Sequence, residues 1–246
     1  MNKWEQLDKQ YVWHPFTHQQ EWVKTDQLVI ARGEGVKLID TDGQAYYDGV
    51  SSLWVNLHGH RRPEIDAAIR AQLDEIAHST MLGLINKPAS ELAERLVKAA
   101  PAGLAKVFYS DDGSTAVEAA LKMAFQYWQH QGRPQKQQFL TLAAAYHGDT
   151  IGAVSVGGVD LFHRVFKPLL FDAAHLPCPS CFHCTLTEDK ADCPLLCVDA
   201  LEEILAAHHE SIAGVIVEPL VQAAAGMLVQ PNGYLRRARE LTRQYD

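Results

Sequence analysis

The chain has 246 residues, 47% of them hydrophobic, and a formal net charge of −8 at pH 7. That is enough apolar material for one large domain, or for a domain with a smaller piece attached. The acidic balance, with no long basic run, argues against a nucleic-acid partner. No apolar stretch approaches a membrane span and Met1-Asn2-Lys3-Trp4-Glu5 does not start a secretory signal, so the expected location is cytoplasmic, away from membranes.

The opening segment holds Trp13-His14-Pro15-Phe16-Thr17 and then a hairpin signal: Val36–Asp40 and Ala45–Tyr47 flank Thr41-Asp42-Gly43-Gln44, with Asp-Gly as the turn. Ser51-Ser52-Leu53-Trp54-Val55-Asn56-Leu57-His58-Gly59-His60 follows, rich in groups suited to a pocket mouth. An ordinary buried Trp54 ahead of a Gly59 turn is the alternative. From Pro63 the spacing turns helical: Ile65, Ile69, Leu73 and Ile76 predict a helix over 63–78 with Pro63 in its first turn. Leu92, Leu96 and Val97 predict another over 88–100, stopped by Pro101.

Beyond that, strands alternate with helices. Lys106–Tyr109 reads as a strand, Ser114–His130 as a helix and Gln138–Leu142 as a strand, while Thr150–Val156 is open between helix and loop. Val198–His209 is a predicted helix, Gly214–Val217 a buried-type strand closing at Glu218-Pro219, and Tyr234–Tyr245 a helix. The pattern predicts an α/β fold, a mostly parallel sheet flanked by helices. Residues 1–62 are expected to be a piece of a smaller α+β domain, and 63–246 the first part of the larger one, with a cysteine-rich insertion over 176–198. Ligands of such sheets sit beyond the carboxyl ends of the strands, where Ser110–Ser114, Tyr146–Asp149 and Glu218 fall.

The passage Val107–Thr115 is the most informative. N–H groups at a helix start are unpaired and sit at the positive end of the helix dipole. Gly113 permits close backbone approach and Ser114 adds a hydroxyl, which is the shape of an anion site, most often for phosphate. Asp112, Ser114 and Thr115 would equally serve as plain helix caps. Tyr146, at a strand end, can stack on a flat ring, and His147 can polarise an oxygen or hold a carboxylate. Packing is the alternative for both, and capping its own turn is the alternative for Asp149. Glu218 closes an apolar strand, where a carboxylate is costly unless paired, so it is expected in a polar network or a site.

All five cysteines fall in one window: Cys178, Cys181, Cys184, Cys193 and Cys197. An odd number in a chain of this kind does not make a disulfide framework. The first three, with His183 among them, have the spacing of a zinc or iron–sulfur ligand set. The later pair lacks it, and the expectation is reduced thiols and no metal.

Together these passages resemble the class III aminotransferases, which use pyridoxal 5′-phosphate. Residues Asp112–Lys122 are similar to that family's phosphate loop and first helix, and Tyr146-His147-Gly148-Asp149-Thr150 to its ring-stacking loop. Trp13–Thr17, Asp48–Trp54, Lys122–Trp128 and Tyr146–Ser155 resemble the branch that serves biotin synthesis by converting 8-amino-7-oxononanoate to 7,8-diaminononanoate. The resemblance implies a fold-type I pyridoxal-phosphate transferase, small-molecule substrates and a homodimer. It also implies that Gly113 and Ser114 hold the cofactor phosphate, with Tyr146 over the ring and His147 and Glu218 beside it. Phe16, Leu53, Trp54 and Tyr146 would border the substrate. Members that take S-adenosylmethionine as amino donor typically carry Tyr at the Phe16 position and a second Trp at the Leu53 position. Both differences remove surface suited to an adenine ring, so lysine stands beside S-adenosylmethionine as an expected donor.

The family's reaction needs a Schiff-base lysine and an aspartate at the pyridine nitrogen. The resemblance puts both beyond Asp246, and no lysine follows Lys190. No catalytic residue is therefore assigned, and the chain is expected to be a truncated, inactive N-terminal portion with unpaired strand edges. The rival readings are another class III ω-aminotransferase and a non-catalytic, metal-binding remnant.

Overall fold

The computed structural model describes residues 2–180, 182, 184 and 195–246. They form two units, Met1–Pro101 and Ala102–Asp246. The division read at 62/63 falls within the first.

In the first unit, α1 (Lys3–Tyr11) starts on Asn2, whose side chain accepts from the Glu5 N–H at 2.9 Å. A short α2 (Gln19–Trp22) follows. Then β1 (Ile30–Glu34), β2 (Lys37–Asp40) and β3 (Ala45–Tyr47) form an antiparallel sheet in the order β1-β2-β3. The hairpin expected at Asp42-Gly43 is present. Its turn is closed by Asp40, whose Oδ1 accepts from Asp42 N at 3.0 Å and Gln44 N at 2.8 Å. Next come α3 (Ser51–Trp54), a single left-handed turn, then α4 (Pro63–Glu75) and α5 (Lys87–Ala99). Pro63 opens α4, and the Asn86 side chain caps α5 by accepting from Ala89 N. The apolar stripes that predicted these two helices, Ile69 and Leu73 on α4 and Leu92 and Leu96 on α5, are solvent-exposed.

The second unit begins with α6 (Gly113–His130), β4 (Gln138–Leu142), α7 (Ile151–Ser155) and α8 (Asp160–His163), which runs into a 3₁₀ turn over Arg164–Leu169. It continues with β5 (Ala174–Leu176), α9 (Leu196–His208), β6 (Ile212–Val215), the hairpin of β7 (Val221–Gln222) and β8 (Leu228–Val229), and α10 (Tyr234–Gln244). The main sheet has the order β5-β4-β6, and both of its pairings are parallel.

Alternation along β4 divides this sheet between two cores, since successive side chains point to opposite faces. Leu140 and Leu142 pack with Leu176, Val198, Leu201, Leu205, Tyr234 and Leu241, which puts α9 and α10 on one face. Phe139 packs with Leu121, Val156 and Ala213, which puts α6 on the other. Lys136 is buried beside this second core. Its Nζ donates to the carbonyls of His209 (2.9 Å) and Ile212 (3.3 Å) and lies 4.2 Å from the Trp128 ring centroid.

The strand expected at Lys106–Tyr109 does not form. A strand is stabilised by its ladder, and no described segment pairs with these residues. The last predicted strand starts earlier than expected and ends at Val215, so Glu218 lies in the segment beyond it. β5 was not foreseen: three residues are too few for a periodicity to register, and His175 interrupts the apolar run. No helix among the described residues is long and apolar enough to cross a membrane.

Candidate functional site

The start of α6 is built by a reciprocal capping box. Thr115 N donates to Asp112 Oδ1 at 2.8 Å, and Asp112 N donates to Thr115 Oγ1 at 3.1 Å. Capping is thus the role of Asp112 and Thr115, but not of Ser114. Ser114 Oγ instead accepts from Asp149 N at 3.1 Å, which joins the helix start to the loop after β4. The N–H groups of Gly113 and Ser114 have no acceptor among the described residues. A Cβ on Gly113 would meet nothing within 4 Å, so this end of the helix is open.

Gly148 makes the junction possible. Its φ is +123°, a conformation side chains rarely adopt. A Cβ there would stand 2.7 Å from Ser114 Cβ and 2.8 Å from Ser114 Cα, closer than packed atoms come. Two residues earlier, Tyr146 donates its hydroxyl to Asp149 Oδ2 at 2.7 Å. Asp149 therefore ties Ser114 through its backbone and Tyr146 through its carboxylate. Burial, reinforced by the Asp149 hydrogen bond, pushes the Tyr146 phenol up to about 12, so it stays protonated at neutral pH.

Glu218 fastens the same loop from the far side. Its Oε1 accepts from Tyr146 N at 2.9 Å and its Oε2 from Ala223 N at 3.0 Å. The carboxylate expected in a polar network is in one, with backbone N–H groups as its donors. His147 turns inward, with Nε2 3.4 Å from Thr141 Oγ1. Burial pulls its pKa down to about 4, so the ring is neutral at pH 7. Ser114, Tyr146, Asp149 and Glu218 are thus brought together at one corner, and His147 lies beneath the loop. A cavity of about 570 Å³ lined by His163, Lys167 and His175 occurs in the same unit, but Ser114, Tyr146 and Glu218 do not line it.

Phe16, Leu53 and Trp54 belong to the first unit, where all three are exposed, at 75%, 71% and 54%. The buried Trp54 weighed from sequence is not found. Phe16 has φ +49°, and Ser51, Ser52, Leu53 and Trp54 have φ of +50°, +49°, +64° and +66°. A left-handed run of residues with side chains costs roughly 1–2 kcal/mol for each.

Several residues at the corner escaped sequence reading. Gly148 was noted only as part of the Tyr146 loop, and Asp149 was weighed against capping its own turn without its link to Ser114. Glu118 on α6 accepts from Gly152 N at 2.7 Å and so holds the first turn of α7. Gln222 donates to the Ala143 carbonyl at 2.9 Å and accepts from Cys178 Sγ at 3.0 Å. The available signal was a glycine between His147 and Asp149 in a loop that follows a strand. For Gln222 no local pattern existed. Of the cysteines, Cys197 is in the first turn of α9 and buried in the core, while Cys181 and Cys193 lie outside the described residues, as does His183. No metal-binding cluster occurs among the described residues.

A parallel sheet with a capped helix start meeting a ring-bearing loop at its carboxyl end defines a class of protein. The chain belongs to the class III aminotransferases, whose family profile matches residues 18–246. Enzymes of this family depend on pyridoxal 5′-phosphate.

Its relatives sharpen this. The adenosylmethionine-8-amino-7-oxononanoate aminotransferase of Geobacter sulfurreducens is 52% identical over 240 residues, covering 97% of this chain and 53% of the relative. The enzyme of the same name from Anoxybacillus flavithermus is 50% identical over 251 residues, covering 100% and 54%. The crystal structure of the Methanocaldococcus jannaschii enzyme of that name matches with a TM-score of 0.90 at 43% identity, over 99% of this chain and 52% of that one. An ω-transaminase from Pseudomonas jessenii, solved in complex with PMP, matches with a TM-score of 0.91 at 29% identity, over 100% and 55%. The chain spans about half the length of the relatives it matches.

Proposed function

We propose that this chain supplies the phosphate- and ring-binding corner of an aminotransferase that converts 8-amino-7-oxononanoate to 7,8-diaminononanoate in biotin synthesis. The observation that carries the reading is the junction of the open α6 start with the Tyr146–Asp149 loop. The relatives' names support the substrate. The two donors proposed are S-adenosylmethionine and lysine, the second because Phe16 and Leu53 stand where adenine-binding members carry larger polar or aromatic groups.

The residues present fit a pyridoxal phosphate. Gly113 and Ser114 offer two N–H groups at the positive end of a helix dipole, with open space before them. Ser114 Oγ already accepts from Asp149 N, so its own proton is available to a phosphate oxygen. Once bound, the cofactor supplies the electron sink for the bond broken at the amino-bearing carbon.

The chain's part is to place and shield it. Asp149 and Glu218 hold the Tyr146 loop so that the phenol ring can lie over the cofactor ring. Tyr146 remains a phenol and brings no charge to that face. His147 remains neutral beneath it, able to offer one ring nitrogen as donor or acceptor. Phe16, Leu53 and Trp54 form the proposed substrate border. A homodimer is proposed as the assembly, supported by the apolar residues that α4 and α5 leave exposed. The proposed location is the cytoplasm.

Titration with pyridoxal phosphate, followed by tryptophan fluorescence, tests the site. Saturable binding should weaken about tenfold, or about 1.4 kcal/mol, in Ser114→Ala. Binding indifferent to that change removes the phosphate reading. Turnover of 8-amino-7-oxononanoate with each donor separately, by a full-length version that carries the Schiff-base lysine, tests the substrate. Activity with S-adenosylmethionine and none with lysine removes lysine.

A further inference from the structure

Four successive residues that carry side chains, Ser51 to Trp54, are held left-handed. Each is sterically disfavoured there, so the turn persists only if its surroundings over-determine it. The structure contains such a restraint. Asp48 Oδ1 accepts from Ser52 N at 2.8 Å, and Asp48 Oδ2 accepts from Ser52 Oγ at 2.8 Å. His60 Nε2 meets Asp48 Oδ2 at 2.8 Å. The Asp48 side chain is only 4% exposed.

Both ends of this clamp are bolted to the β1–β2 turn. Asp48 N donates to the Val36 carbonyl at 2.9 Å, and His60 exchanges backbone hydrogen bonds with Gly35 at 2.7 and 3.1 Å. The His60 ring lies against Gly33, where a Cβ would stand 2.6 Å from its Cγ. The donors from Ser52 hold the Asp48 carboxyl below the usual carboxylate range, which keeps it an acceptor.

We propose that Asp48, seated by His60, is a positioning residue that holds the left-handed turn and so sets where Leu53 and Trp54 stand against the substrate. This rests on the reading of Leu53 and Trp54 as substrate-bordering residues. An ordinary turn has no need of four disfavoured residues. A turn that must aim two large side chains has a use for a backbone fixed from beneath, because a left-handed run directs its side chains differently from a right-handed one. The Asp48 side chain bonds neither Leu53 nor Trp54 and acts through Ser52, while its carbonyl accepts from Ser51 N at 3.3 Å.

Two measurements test the clamp. Chymotrypsin needs extended backbone, so cleavage after Leu53 and Trp54 in the native protein reports release of the turn. Asp48→Asn keeps the acceptor for Ser52 N but puts an NH2 donor where Oδ2 accepts from Ser52 Oγ and meets His60, and cleavage there should rise at least tenfold. His60→Gln should give a smaller rise. Ser51→Gly in the Asp48→Asn background should restore much of the protection, because glycine tolerates the φ of +50°. Cleavage in the second unit, after Phe125 for example, serves as the control for general unfolding. Asp48→Asn cleaved at the wild-type rate, or equally faster at both places, overturns the clamp.

The second measurement is turnover of 8-amino-7-oxononanoate by a full-length version that carries the Schiff-base lysine. In Asp48→Asn the KM for it should rise about tenfold with kcat changed less than twofold, and Ser51→Gly should recover the KM. A raised cleavage rate with an unchanged KM overturns the positioning role. If the wild-type full-length version turns over no 8-amino-7-oxononanoate, it is the substrate reading that fails, and the cleavage experiment still decides the clamp.

Discussion

The two units treat the same kind of residue in opposite ways. In the second, the apolar positions that mark β4, α9 and α10 are buried against one another: Leu142, Leu201 and Leu241 are each 0% exposed. In the first, the positions that mark α4 and α5 at equally regular spacing remain open to solvent, Ile69 at 56% and Leu73 at 59%. An amphipathic pattern therefore states that a face is made to be covered. Whether this chain covers it depends on which other surfaces it brings.

The comparison can be broken most directly with paired truncations. Leu142→Ala removes a side chain with no exposure and should cost about 3 kcal/mol in urea unfolding, mostly from the cavity left behind. Leu73→Ala, on the exposed stripe of α4, should stay within about 0.5 kcal/mol. Equal costs would show that the stripe is packed after all.

The next largest effect is expected where the second unit packs backbone against backbone. Gly148→Ala forces a Cβ onto Ser114 and a side chain into φ +123°. It should destabilise the second unit by about 2 kcal/mol and weaken pyridoxal phosphate binding more than Ser114→Ala does. Gly113→Ala is the contrast, since a Cβ there meets open space. It should leave the unfolding midpoint nearly unchanged. Asp112→Ala removes the capping box and should cost about 1 kcal/mol, read as a lower Tm.

The last effect is a change of slope with pH rather than a loss at pH 7. The folded pKa of His147 lies below the ordinary 6.5, so as pH falls the unfolded chain takes up this proton first. The stability conferred by its neutral, buried ring is complete above about 6.5 and is lost towards about 4. His147→Gln should flatten the stability curve across that window. His163, also held below its ordinary value by burial, should retain part of the acid limb. A slope unchanged by the substitution would place His147 in solvent.

Legibility differed by kind of signal. β4 was read over its full span, and α4, α5, α6 and α10 to within a few residues, because each carries a local period and most a local start or stop: Pro63 for α4, Pro101 after α5, Asp112 for α6. Lys106–Tyr109 had the composition of a strand and is not one, because a ladder is a property of two segments. At the site, Ser114, Tyr146, His147 and Glu218 were marked by residue type at strand and helix ends. Asp149 joining Ser114 to Tyr146, and Glu218 accepting from the Tyr146 backbone, could not be seen, since those bonds connect residues 35 and 72 positions apart.

The amino-acid order alone determined the α/β alternation, the capped helix start proposed to receive an anion, and the strings that resemble class III aminotransferases. These are encoded in neighbours a few positions apart, through turn chemistry, capping and periodicity. Tertiary structure decided which side of β4 each helix covers, that Gly148 lies on Ser114, that His147 is neutral, and that Asp48 and His60 lock four residues in a left-handed turn. Each of those depends on packing and desolvation by distant segments, and neither acts on a residue until the chain has brought them against it.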